Sequence, residues 1–208
     1  VVYAALFEAS SAALRELASN ARFVGTDRLG FTGVLHTWGR TLEYHPHVHY
    51  IVPGGGLSAD GDRWLPSRAN FLVPVKALSR IFRAKLRDIL RRENLLGGVD
   101  GKVWRRDWVV HSQAAGDGRS SLRYLAPYVY RVAIGDRRIV SCDDGKVVFT
   151  YRKVGSTRPR RMTLDAHEFL RRFLQHVLPR GFQKVRHFGF LGPRSGVSLE
   201  EVRWLIVA

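Results

Sequence analysis

Cysteine is nearly missing from this chain: Cys142 is the only one in 208 residues. That excludes an internal disulfide framework and any zinc site built on cysteine thiolates, and it fits a reducing, cytoplasmic setting. No run of apolar residues approaches the roughly 18 that a membrane span needs, so no membrane partner is expected. No signal peptide is visible either, because the opening residues read as an amphipathic helix without a cleavage site. Met162 is the sole methionine and the chain opens Val1-Val2-Tyr3, from which we expect a fragment. Acidic residues are also scarce: 18 Asp and Glu stand against 34 Lys and Arg, a net charge of +16. A surplus of that size points to a polyanionic partner, most often nucleic acid.

Hydrophobic residues make up 45% of the chain, enough for a core in one good-sized domain. Apolar spacing predicts a helix over 3–18, with Leu6, Leu14 and Leu17 among its apolar positions. The β-branched and aromatic stretches 31–38 and 47–52 read as strands. Residues 52–63, "VPGGGLSADGDR", read as a flexible loop. A second helix is expected over 75–93. There Leu78, Phe82, Leu86 and Ile89 form one stripe, with Lys76, Arg80, Arg83, Arg87 and Arg91 on the roughly opposite side. That basic stripe is either an ordinary solvated face or a track for a phosphate backbone.

Further along, "DWVVHS" (107–112) reads as a strand, and Ser120-Ser121 as the cap of a helix over 122–131. Strands at 138–142 and 146–152 flank an Asp-Asp-Gly turn, a hairpin signal. The basic stretch 153–161 reads as a loop, 165–177 as a helix, 184–192 as a late strand and 199–207 as a last helix. Helices and strands mix without a βαβ rhythm, so the expected fold class is α+β with an antiparallel sheet.

Three of the eight histidines fall in "HPHVH", residues 45–49. On a strand, alternate residues share a face, so His47 and His49 point together while Val48 faces the other way. Pro46 cannot donate to a ladder and marks a strand start or an edge. Two imidazoles one strand repeat apart can chelate one divalent ion. His36 lies eleven residues before His47, where a hairpin would bring it alongside as a third ligand; His45 is the rival. Three imidazoles with open positions suit a catalytic ion, and the alternative is a histidine-bearing surface strand without metal.

The second feature is "LRYLAPYVYR", residues 122–131. Tyr124 and Tyr128 are i and i+4, on one side of a helix, flanked by Arg123 and Arg131. Alone, such a pair usually packs a core. Beside a metal site and a basic surface it has another use, because a tyrosine oxygen can attack phosphorus and hold the product covalently.

These residues carry a resemblance. "HPHVH" resembles the His-hydrophobic-His motif of HUH endonucleases, and "YLAPY" resembles the two-tyrosine motif of their rolling-circle transposases. The stretches "VLHTWGRTLEYHPHVHYIVPGGG", "YLAPYVYRVAI" and "FLQHVLPRGFQKVRHFGFLG" are similar to segments of the same family. The resemblance implies a palm-like antiparallel sheet with packed helices, and residues 1–208 as one catalytic domain. It implies His47 and His49 as ligands of Mg²⁺ or Mn²⁺, with His36 the inferred third. It further implies Tyr124 and Tyr128 as nucleophiles that form 5′-phosphotyrosine links with single-stranded DNA, in a bacterial, nucleoid-associated protein needing no small-molecule cofactor. Lys76, Arg80, Arg83, Arg87, Arg123 and Arg131 are the expected DNA contacts. Family members typically carry an N-terminal cysteine-rich zinc-binding region, which this chain lacks. A relaxase or replication initiator with the same chemistry, and a non-catalytic DNA-binding remnant, remain as alternatives.

Overall fold

A computed structural model describes residues 1–130 and 133–207, except for the side chains of residues 124 and 127–130. It is α+β, as expected. The elements are α1 (Val2–Ala18), β1 (Phe31–Trp38), β2 (Tyr44–Ile51), β3 (Gly55–Leu57), β4 (Trp64–Pro66), α2 (Val75–Arg92) and α3 (Arg119–Tyr130). They continue as β5 (Ile139–Asp143), β6 (Lys146–Arg152), β7 (Pro159–Asp165), α4 (Ala166–Leu174), β8 (Val185–Phe188) and α5 (Leu199–Val207). Among the described residues the strands form three sheets, ordered β2-β1-β8, β3-β4 and β5-β6-β7. The residues fall into two compact units. One holds Val1–Gly33, Tyr50–Ser121 and Arg186–Ala208; the other holds Val34–His49 and Leu122–Val185.

In the first unit, α1 packs on α2. Ala5 and Ala9 are small enough for the helices to approach, and they meet Leu86, Ile89 and Leu90. Leu14, Leu17 and Phe31 join a neighbouring cluster, where Phe31 stacks on Phe188 with ring centroids 4.8 Å apart. The stretch expected to be a flexible loop instead carries the β3–β4 hairpin. Its glycines make room rather than confer flexibility: a Cβ on Gly55, at φ +157°, would lie 2.5 Å from the Leu65 carbonyl oxygen. Leu57 is fully buried there, and its carbonyl accepts from the Thr26 hydroxyl at 2.6 Å.

The strand expected at 107–112 does not form. Among the described residues no ladder partner reaches it; Trp108 anchors the segment by stacking on Trp104 and meeting Phe82 edge-on, while Val109 is 97% exposed. β-rich composition fails to make a strand when a single aromatic side chain does the packing.

The second unit is built on the β5-β6-β7 meander. Asp144 and Gly145 take positive φ values of 50° and 70°, which suits a two-residue turn that follows the strand twist. Along β6, Val147 and Phe149 are buried on one face, and Phe169 of α4 covers them. Asp165 caps α4 by accepting from the His167 amide at 2.9 Å. Several boundaries differ from expectation. β2 begins at Tyr44 and runs through Pro46; α3 begins at Arg119, before the serines; α4 ends at Leu174; and β7 takes in residues 159–161 of the expected loop. The late strand ends at Phe188, and residues 189–191 form a 3₁₀ turn.

The β1–β2 turn, residues 39–43, sits on this meander. Leu42 is fully buried in its core at φ +63°, a strained conformation for a branched side chain. Three successive turn carbonyls are each taken by a long side chain. Arg40 O accepts from Arg138, Thr41 O from Arg172 and Leu42 O from the His176 Nε2–H, at 2.9, 3.1 and 3.1 Å. Leu42→Ala should destabilise the protein by about 2–5 kcal/mol in denaturant unfolding, through lost burial and the cavity left behind.

Candidate metal centre

β1 is the middle strand of its sheet and is covered on both faces, so His36 is only 8% exposed. Residues 39–43 return the chain, the Gly39 amide donating to the Glu43 carbonyl at 2.9 Å. Neighbouring strands joined by five residues must run antiparallel. The pleat of β2 then aims His47 and His49 to one side, beside His36. Ligand nitrogens of His36, His47 and His49 all lie within 4.8 Å of one another. The His36–His47 ring centroids are 4.9 Å apart and the His47–His49 centroids 4.7 Å. Both pairs lie within the second unit.

The hydrogen bonds set the tautomers. His47 Nδ1 lies 2.7 Å from the His45 carbonyl oxygen, which can only accept, so the proton is on Nδ1. The lone pair on Nε2 then faces His36 Nδ1 at 3.2 Å. A backbone carbonyl on the far nitrogen is the usual orienting partner of a metal-binding imidazole. The 3.2 Å separation also suits two neighbouring ligands of one ion, since bonds of about 2.1 Å put such nitrogens about 3 Å apart.

Burial, reinforced by His47 and His49, lowers the His36 pKa from 6.5 to about 3. Burial and then His47 lower His49 to about 4, and burial lowers His47 below the ordinary imidazole value. All three rings are therefore neutral near pH 7, the form that donates a lone pair to a metal. The set fits a divalent ion held by three nitrogens, with the remaining positions left to other ligands.

Neighbours missed by sequence reading complete the surroundings. Trp38 meets His36 edge-on with centroids 4.2 Å apart, and the Lys184 ammonium lies 4.8 Å from the Trp38 ring centroid. Both sit in the quoted family-like segments, but no spacing rule marks them. His45 is exposed and outside the cluster, contributing its carbonyl instead. The side chains of Tyr124 and Tyr128, and Arg131 altogether, lie outside the described residues; the α3 backbone carries both tyrosine positions. Arg123 is exposed. Along α2, Lys76 and Arg80 are exposed, while Arg83 donates to the Arg106 carbonyl. Arg87 lies 6.0 Å from the Trp104 ring centroid, and Arg91 is 3.0 Å from Asp88.

Fold and cluster thus define an α+β protein with a three-imidazole centre on a β-hairpin. A family model described as "Putative transposase", that of the Y2 transposases, matches residues 30–197. "Putative transposase y4qJ" of Sinorhizobium fredii is 38% identical over 214 residues, 93% of this chain and 54% of the relative. "Transposase for insertion sequence element IS801" of Pseudomonas savastanoi pv. phaseolicola is 31% identical over 189 residues, 80% of this chain and 44% of the relative. No solved structure matches. The chain belongs to the Y2 transposase family, and it spans about half the length of the curated relatives it matches.

A bound ion stabilises the folded state by mass action, by about 2.7 kcal/mol at a hundredfold excess over Kd. Adding Mn²⁺ should therefore raise the Tm in thermal unfolding. His36→Ala, His47→Ala and His49→Ala should each remove that increase, and His45→Ala should keep it.

Proposed function

We propose that residues 1–208 are the catalytic region of a DNA transposase that cleaves and rejoins single strands through 5′-phosphotyrosine links. The observation that carries this reading is the clustering of His36, His47 and His49 on one hairpin, in a chain of the Y2 transposase family with a net charge of +16. His36, His47 and His49 hold Mg²⁺ or Mn²⁺, the imidazoles favouring Mn²⁺. When bound, such an ion polarises a phosphate oxygen and orients the scissile bond.

The rest of the chemistry falls to the chain. The phenolic oxygen of Tyr124 or Tyr128 forms a bond to phosphorus as the P–O3′ bond breaks. The phenol loses its proton and the departing oxygen gains one, so the products are a 5′-phosphotyrosine and a free 3′-OH. One phosphate ester replaces another, and rejoining therefore needs no ATP. A second tyrosine on the same helix permits a second cleavage while the first strand end is still held. Cations at Lys76, Arg80, Arg83, Arg87, Arg123 and Arg131 hold the strand through its phosphates. The transposase names of the relatives favour this reading over a replication initiator with the same chemistry.

The test is a covalent-adduct assay. The protein is mixed with single-stranded oligonucleotides from the element's ends, with Mn²⁺ or with EDTA, and run on a denaturing gel. A Mn²⁺-dependent adduct should form and should vanish in Tyr124→Phe/Tyr128→Phe. His47→Ala/His49→Ala should abolish cleavage while keeping most of the salt-dependent binding. Unchanged cleavage by that variant removes the metal from the mechanism.

A further inference from the structure

The hairpin turn that carries the histidine strands also borders an open groove of about 400 Å³ within the second unit. Its lining is Arg40, Thr41 and Glu43 from the turn, and Tyr151, Arg152, Lys153 and Val154 from the end of β6. None of these is among the metal-centre or α2 residues. We infer that this groove is a subsite for one unpaired nucleotide of a single DNA strand, a reading that rests on the transposase proposal above.

Charge comes first. Arg40, Arg152 and Lys153 line the groove, with Glu43 the one acid among the lining residues. Glu43 is occupied locally: its carboxylate accepts from the Thr41 amide at 2.9 Å and from the Thr41 hydroxyl. Arg160 stands directly across from Tyr151 in the ladder, so their side chains leave the sheet on the same face. The stretch 153–161, basic and rich in turn residues, therefore ends beside the groove rather than forming a separate linker.

Position comes second. Arg40 is anchored, donating one N–H to the Arg152 carbonyl at 2.9 Å, while Arg138 holds the Arg40 carbonyl. A guanidinium carries five donors, so an anchor of this kind fixes the head and leaves capacity for a phosphate. Arg40 lies four residues from His36, a chain length of at most about 14 Å. A strand whose scissile phosphate sits at the imidazole cluster can therefore reach this groove within a few nucleotides.

Shape comes third. Tyr151 is half-buried, following Val147 and Phe149 on the inward face of β6. A half-covered aromatic ring among cations is the arrangement on which unpaired bases stack, since every base offers a π-face whatever its sequence. In a duplex the bases are stacked on each other and give such a ring no face, so the ring favours a single strand.

The test measures binding of the full chain to a labelled single-stranded oligonucleotide by fluorescence anisotropy across a salt series. Arg152→Gln/Lys153→Gln should weaken binding roughly tenfold and reduce the salt slope by about 1.4, two phosphate contacts on a single strand. Tyr151→Leu should weaken binding roughly tenfold at an unchanged slope, and Tyr151→Phe should bind like the wild type. The control, Arg194→Gln/Arg203→Gln, removes the same charge from exposed positions outside the groove and should stay within about twofold of wild type. Wild-type binding with an unchanged Arg152→Gln/Lys153→Gln variant overturns the groove alone. Equal loss in the control overturns it in favour of net charge, and equal loss of duplex binding overturns the single-strand assignment. A wild type that binds no DNA overturns the transposase reading together with the groove.

Discussion

The pairing of β1 with β2 is the constraint on which the rest depends. A strand presents alternate residues to one side, so His47 and His49 share a direction by backbone geometry alone. Antiparallel pairing across the 39–43 turn then sets His36 against His47, Nδ1 to Nε2 at 3.2 Å. A slip of one residue in that register would send the imidazoles to the opposite face. The turn is accordingly held from several directions. Arg138, Arg172 and His176 each take one of three consecutive turn carbonyls, and Leu42 is buried beneath them despite its unfavourable backbone angles. Strain in the turn is offset by the core it fills, and the imidazoles inherit the resulting rigidity.

Electrostatics divides the labour. Around the cluster, burial keeps the rings neutral, and Lys184 and Trp38 close the site without supplying a competing carboxylate. Elsewhere the charge is on the outside and overwhelmingly positive. Much of it is already engaged: Arg171 and Arg172 hold Glu168 at 2.6 and 2.7 Å, which lowers its carboxyl to about 2, and Arg83 and Arg87 lean on their own unit.

Much of this was legible in the sequence. The β1 boundaries, the amphipathic α2 and the β5–β6 hairpin each follow from local periodicity and turn chemistry. The His36–His47–His49 grouping follows from spacing plus one hairpin, and the structure groups these three without His45, which is exposed near the start of β2. What local reading misses is what depends on partners. The β3–β4 hairpin looked like a loop because its glycines signal flexibility, whereas here they admit Trp64 and the Leu65 backbone. Residues 107–112 looked like a strand, but among the described residues no strand pairs with them. The three carbonyl-binding side chains come from 98 to 134 residues away along the chain, beyond any periodicity argument.

The central claim is that His36, His47 and His49 together hold one divalent ion. Pulsed EPR on the protein loaded with one equivalent of Mn²⁺ tests it directly, by counting the imidazole nitrogens coupled to the ion. Three coupled nitrogens, with one lost on His36→Ala, is the predicted result. Mn²⁺ coupled to no nitrogen, or a spectrum unchanged by His36→Ala, would contradict the account.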